Sequence, residues 1–250
     1  MGGIALGQIL AVVSGKGGTG KTSLCAAVAC ALAAEGKSVL CMDADVGLRN
    51  LDISLGMVDV PAIPFTAVMR GEYPLTAAAV HPLYSNLHFL TAPVTEQPEE
   101  LDEAQFHALL QQARSAYDWC LIDAPAGLGA GFRLSVLDAD LAMVVTGGDP
   151  SALRDGARAA QALDEYSKAE AKIVVNRVRR RFFLRTKTTV DDCMDLIGLP
   201  LLGLVPEDAR IPLAAVGGTP LLSGAKRGAA LACIHIARRL CGMKQPLLIL

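Results

Sequence analysis

Residues 14 to 23 read Ser-Gly-Lys-Gly-Gly-Thr-Gly-Lys-Thr-Ser, in which Gly15, Gly20, Lys21 and Thr22 satisfy the phosphate-loop pattern G-x-x-x-x-G-K-[ST]. An apolar run, Ile9 to Val13, leads into this decapeptide, and an alanine-rich helical stretch, Ser23 to Ala34, follows it. The strand–loop–helix context gives the pattern its chemistry. Glycines let the backbone curl so that successive amide hydrogens point at phosphate oxygens, and the helix start adds the positive end of its dipole. The segment predicts a nucleotide phosphate site built from Gly15, Lys16, Gly17, Gly18, Thr19, Gly20, Lys21, Thr22 and Ser23. Lys21 is expected at the β- and γ-phosphates, and the Thr22 hydroxyl on Mg²⁺. Lys16 is not required by the pattern. It is either a solvated loop lysine or a second ammonium that neutralises charge on a triphosphate.

The 250 residues suffice for one large α/β domain with a buried core. With 52% hydrophobic and 19% charged residues, the chain is too apolar for disorder. Its longest uninterrupted apolar run, Leu24 to Ala34, is about half a bilayer span and reads as a buried helix. A net charge of −2 carries no overall signature of nucleic-acid binding. The seven cysteines show no C-x-x-C spacing, which fits small core residues in a reducing cytoplasm better than disulfides or zinc. No basic segment with a cleavage site opens the chain, so no secretion signal is expected.

Runs suited to buried parallel strands recur at Ile9–Val13, Ser38–Met42, Leu87–Leu90, Trp119–Ile122, Leu141–Thr146, Ile173–Val175 and Leu202–Val205. Helical patterns such as Glu99–Tyr117 and Ser151–Tyr166 fall between them. The alternation predicts a doubly wound, mostly parallel sheet with helices on both faces, in a single domain over residues 1–250. Ligands in such folds bind beyond the carboxyl ends of the strands. The phosphate loop, Asp43 and Asp45, Asp123, and Asn176 each follow one of the runs. Asp123, followed by Ala-Pro-Ala-Gly, has the Walker-B placement that holds Mg²⁺ together with Thr22. Gly127 is then placed to offer its amide to the γ-phosphate.

Lys-Gly-Gly-Thr-Gly-Lys-Thr with the early lysine resembles the deviant Walker-A ATPases, the MinD/ParA family. Asp-Ala-Asp-Val-Gly-Leu-Arg-Asn-Leu-Asp at 43–52 looks like its MinD branch. Asp-Ala-Pro-Ala-Gly at 123–127, Ala-Leu-Arg-Asp at 152–155, Val-Asn-Arg at 175–177 and Val-Pro-Glu-Asp at 205–208 keep family order, so the match covers about residues 8–225. The resemblance implies an Mg²⁺-dependent ATPase that dimerises on ATP and acts in placement of the bacterial division site. The alternative inside the family is a ParA-like DNA or plasmid partitioning ATPase, or a flagellar-number regulator. The same resemblance casts Lys16 as the signature lysine reaching phosphates held by a second subunit, and Asp45 as the switch aspartate near water and metal. Asp43 shapes the loop or the outer shell of the metal. Asn176, Arg177, Pro206 and Asp208 are cast as bordering the adenine. It further implies a regulatory partner of the MinE or MinC kind, and a cytoplasmic location with peripheral contact at the inner membrane face.

Two segments depart from plain expectation. Pro246 interrupts any terminal helix, and residues 247–250 form a short apolar tail without a cationic face, a poor interfacial anchor. Residues 177–187 interleave five arginines and Lys187 with Phe182 and Phe183; this is either a solvated loop and helix start or a surface for phosphate, anionic lipid or an acidic peptide. Arg49-Asn50 is likewise either part of the switch or a solvated turn. Nucleic acid is not expected as a partner. Paired cysteines of the iron–sulfur branch of the superfamily are absent between Cys41 and Cys120.

Overall fold

The computed structural model describes residues 6–186 and 188–248. Its strands are β1 (Gln8–Val13), β2 (Val39–Asp43), β3 (Ala79–Val80), β4 (Leu87–Leu90), β5 (Trp119–Asp123), β6 (Leu141–Thr146), β7 (Glu170–Val178) and β8 (Leu201–Pro206). They form one sheet in the order β3-β4-β2-β5-β1-β6-β7-β8. Every pairing is parallel except β3 with β4. All seven expected strands are present. The two-residue antiparallel β3 is too short to leave a periodic signal in the sequence.

The helices are α1 (Lys21–Ala34), α2 (Leu51–Leu55), α3 (Phe65–Met69), α4 (Glu103–Ala116), α5 (Ala130–Val136), α6 (Pro150–Tyr166), α7 (Arg180–Thr186), α8 (Val190–Ile197), α9 (Arg210–Val216) and α10 (Gly228–Leu240). Two cores flank the sheet. One packs Phe65, Phe106, Phe132, Leu153 and Leu163 against Ile9, Ala11, Ile122 and Val144. The other packs α1 and α10 against Leu10, Val12, Cys41 and Leu121. This double burial explains why the central strands are continuous Val, Ile and Leu runs without polar alternation. Six cysteines are buried as free thiols and Cys241 is half-buried, as the composition predicted. None of the described helices is long and apolar enough to cross a membrane.

Helix starts follow local chemistry. The Asp149 carboxylate accepts from the amide of Ala152 at 3.0 Å and caps α6. The stretch expected to be helical from Glu99 begins instead at Glu103. Pro98–Glu100 form a separate 3₁₀ turn, and Asp102 accepts from the amides of Ala104 and Gln105, so the cap fixes the later start.

His81 ties the far end of α2 to the sheet edge. Its Nδ1 accepts from the Leu83 amide at 3.0 Å, which leaves Nε2 to donate to the Leu55 carbonyl at 2.9 Å. Burial pushes its pKa below the usual histidine range. A proton on Nδ1 would remove the acceptor for Leu83. The folded chain therefore binds fewer protons here than the unfolded one, so this stability is complete above about pH 6.5 and is lost as the pH falls below it. In urea unfolding between pH 7 and 5, the midpoint of the wild type should drop more steeply than that of His81→Gln, which has no imidazole to titrate.

Candidate functional site

A cavity of ≈ 380 Å³ opens beyond the carboxyl ends of β1 and β2, lined by Ser14, Lys16 to Ser23, Asp45, Leu48, Asn50, Ile53, Ser54, Ala126 and Arg177. A neighbouring cavity of ≈ 350 Å³ lies against the other side of the same loop, lined by Lys16 to Thr19, Gly147 to Asp149, Ala152, Asn176, Arg177, Arg179 and Phe183. Gly20 caps α1 with φ of 86° and no side-chain cap, so the first amides of the helix are left for a ligand. A Cβ at Gly20 would sit 2.5 Å from Asn176 Nδ2, and one at Gly15 would sit 2.0 Å from the Asp155 carbonyl oxygen. Side chains at these positions would push the loop out of its cradle. Thr19 Oγ1 is buried in the same loop and finds no hydrogen-bond partner among the described residues, as expected of a group shaped to meet a ligand.

At the closed end, Lys21 Nζ donates to Asp123 Oδ1 at 2.7 Å, with the side chains 6% and 1% exposed. Burial pushes the Asp123 carboxyl up; Lys21, by charge and hydrogen bond, and the Thr22 hydroxyl pull it back. Lys21, Thr22 and Asp123 thus form one connected group, although the sequence pattern assigned Lys21 to phosphate alone. Asp45 is half-buried at the cavity wall, its pKa raised by burial and opposed by Lys21. Thr22, Asp45 and Asp123 offer hard oxygen donors, which suit Mg²⁺. Among the described residues no three His, Cys, Asp or Glu side chains gather as a cage. An ion there would draw most of its shell from phosphate and water, the way Mg²⁺ is bound.

Asp43 faces inward from the last position of β2, in register with Asp123 on β5. It is 1% exposed, and its pKa is raised to about 7, first by burial and then by the Asp123 charge. Its two oxygens accept from the amides of Asp45 at 3.0 Å and Leu51 at 3.1 Å. Asp43 therefore shapes the 45–51 segment and is absent from the cavity wall.

Lys16 is folded onto α6 of its own chain. Its Nζ lies 3.3 Å from Ser151 Oγ, 3.6 Å from Asp155 Oδ2 and 4.0 Å from Asp149 Oδ1. Ala-Leu-Arg-Asp at 152–155 keeps family order, but no role for Asp149, Ser151 or Asp155 follows from that match. Their spacing on the first turns of a helix after β6 was the available signal.

Asn176 is 3% exposed; its Nδ2 donates to the Thr19 carbonyl at 2.8 Å and its Oδ1 accepts from the Arg177 amide at 2.9 Å. It braces the phosphate loop. Arg177 is exposed, takes φ of 55° and lines both cavities. Gly127, with φ of 89°, lies in the loop after β5, and its neighbour Ala126 lines the larger cavity in its place. Pro206 and Asp208 line neither cavity. The Asp208 carboxylate accepts from Arg210 and from the Ala229 amide at the start of α10, and Arg210 holds its pKa down at about 2. In the basic segment Arg179 pairs with Glu207, and the Phe183 ring lies against Gly148, where a Cβ would meet it at 2.6 Å. Arg181 and Arg185 are exposed; Lys187 and the side chains of Arg180 and Phe182 lie outside the described part.

The Asp43 anchor is open to test. Asp43→Ala removes both amide acceptors, and a buried donor left unsatisfied costs about 1–3 kcal/mol. Hydrogen exchange at the amides of Asp45 and Leu51 should accelerate about tenfold or more, while exchange in β1 and β6 stays as in the wild type.

Residues 10–221 match the family described as CobQ/CobB/MinD/ParA nucleotide binding domain. The septum site-determining protein MinD of Synechocystis sp. is 37% identical over 97% of this chain and 92% of its own length. The MinC:MinD cell division protein complex of Aquifex aeolicus contains a chain that superposes with a TM-score of 0.89 at 32% identity, covering 97% of this chain and 98% of that one. MinD of Pyrococcus horikoshii, complexed with Mg-ADP, superposes with a TM-score of 0.80 at 29% identity over 94% of this chain and 96% of that one. The phosphate loop, its paired carboxylate and these full-length likenesses converge, and the chain belongs to the MinD/ParA nucleotide-binding family, in its branch of septum site-determining MinD ATPases.

Proposed function

We propose that this chain is an Mg²⁺-dependent ATPase of the MinD type, a nucleotide-controlled dimerisation switch acting in placement of the bacterial division site. The observation that carries the reading is the buried Lys21–Asp123 pair beneath the glycine loop, joined by the half-buried Thr22, with Lys16 at its mouth. The amides of Gly17 to Ser23 would cradle the phosphates, and Lys21 would neutralise charge on them as hydrolysis proceeds. Thr22, Asp45 and Asp123 would hold Mg²⁺, which draws charge off the phosphate oxygens when bound. Asp45, at the wall, would accept a hydrogen bond from the attacking water and orient it. Gly127 would donate its amide to the γ-phosphate. Asn176, Arg177, Pro206 and Asp208 would border the adenine: they sit at the ends of β7 and β8, across β1 from the carboxylates of β2 and β5.

Lys16 supplies the dimer step. A second copy presenting a triphosphate offers this ammonium more negative charge than the partly exposed Asp149 and Asp155 do, and reaching it completes both sites. A regulatory partner of the MinC or MinE kind belongs to the same reading, supported by the Aquifex relative solved as a MinC:MinD complex. One domain spans residues 1–250, working in the cytoplasm. Peripheral membrane contact is not assigned to the tail. Up to Leu248 that segment lies on α10, where Arg239 donates to the carbonyls of Gln245 and Pro246 and Leu248 packs against the α1–α10 core; residues 249 and 250 lie outside the described part.

Lys16→Ala should bind ATP about as well as the wild type yet stay monomeric by light scattering with ATP and Mg²⁺, and an unchanged dimer would refute the role in trans. Asp45→Ala should lower phosphate release by about 100-fold, the scale of losing a positioned acid–base group; wild-type turnover would remove Asp45 from the chemistry.

A further inference from the structure

The 45–51 segment is held at a third point besides the two amides on Asp43. Arg49 Nε donates to Thr91 Oγ1 at 2.9 Å. Thr91 follows β4, is 2% exposed, and has its backbone committed: its amide donates to the Ile63 carbonyl and its carbonyl accepts from the Phe65 amide. The hydroxyl is therefore a fixed post. Arg49 takes φ of 44°, a left-handed conformation uncommon for a residue with a side chain, which persists only where surrounding contacts impose it. A solvated surface arginine has no such contact. The amides of Leu48 and Arg49 both reach back to the Asp45 carbonyl, at 3.2 and 3.4 Å. The backbone at position 49 is thus coupled within one turn to the residue whose carboxylate lines the cavity.

We propose that Arg49 and Thr91 are positioning residues for hydrolysis: their side-chain hydrogen bond fixes the segment in the geometry that aims Asp45 into the site. Arg49 lines neither cavity at the phosphate loop, and acts through Asp45. The inference rests on the role proposed above for Asp45. It replaces the reading of Arg49 as a solvated turn residue, since this side chain is half-buried and bonded across 42 positions of sequence.

Thr91→Val keeps the shape of the side chain and removes the acceptor, whereas Thr91→Ser restores it. Single-turnover phosphate release with ATP and Mg²⁺ should fall about tenfold in Thr91→Val, less than the roughly 100-fold cost of a 1 Å misplacement of a reacting group. KM should stay within about twofold, because the phosphate cradle is untouched. Thr91→Ser should return kcat to near the wild-type value. Hydrogen exchange across residues 44–51 should rise in the valine variant and not in the serine variant. Arg49→Gly, which tolerates φ of 44° without strain, is the second variant, and should show the same loss of kcat at unchanged KM if Thr91→Val folds poorly. Wild-type kcat in Arg49→Gly, or equal losses in Thr91→Val and Thr91→Ser, overturns the proposal. Asp45→Ala measured alongside separates the two levels. Inactive Asp45→Ala with fully active Arg49→Gly sinks the latch alone; fully active Asp45→Ala sinks the assignment of Asp45 and the latch with it.

Discussion

The ammonium of Lys21 and the carboxylate of Asp123 lie side by side at 2.7 Å, both withdrawn from water. Removing water from an isolated carboxylate costs several kcal/mol, and the pair avoids that only because it is close, hydrogen-bonded and joined by Thr22. The remaining geometry follows from satisfying this pair. β1 and β5 must be neighbours so that the loop leaving one passes over the end of the other, and α1 must begin at Lys21. Asp43, in register one strand further out, adds a second buried carboxylate. The closed end of the site therefore carries more acidic oxygens than Lys21 pairs with. A divalent cation is the natural complement to that excess, and a phosphate tail is the natural complement to the amides above it.

The same charge distribution divides labour between the two lysines of the loop. Lys21 is sealed in against Asp123. Lys16, two residues into the loop, stands 37% exposed and reaches several. One is fitted to stay and the other to leave, and this distinction is set by burial.

Much of this was legible in the sequence because it is local. The phosphate loop, the strand leading into it and the alanine-rich helix after it lie within about thirty residues, and their glycine and lysine requirements are independent of distant parts. The seven main strands were legible because burial on both faces forces unbroken apolar runs. What escaped reading is what long-range packing decides. Asp208 fits the family pattern, yet here its carboxylate is turned toward Arg210 and α10. Asn176 braces Thr19 across 157 positions of sequence, and Arg49 finds a hydroxyl on a strand end 42 residues away. Neither contact leaves a spacing rule behind. The late start of α4 was missed because a proline turn and an aspartate cap interrupt a stretch whose composition is helical throughout.

The grip of α6 on Lys16 consists of three contacts at 3.3, 3.6 and 4.0 Å, all partly open to water. Surface contacts of this kind contribute at most about 1 kcal/mol each, and salt weakens them further. No single one must be broken before the others. The side chain can therefore exchange hands gradually, giving up one oxygen while keeping another, and the barrier to swinging outward stays low. A firmer grip would trap the chain as a solitary molecule; a looser one would leave the ammonium without a defined starting point for its reach.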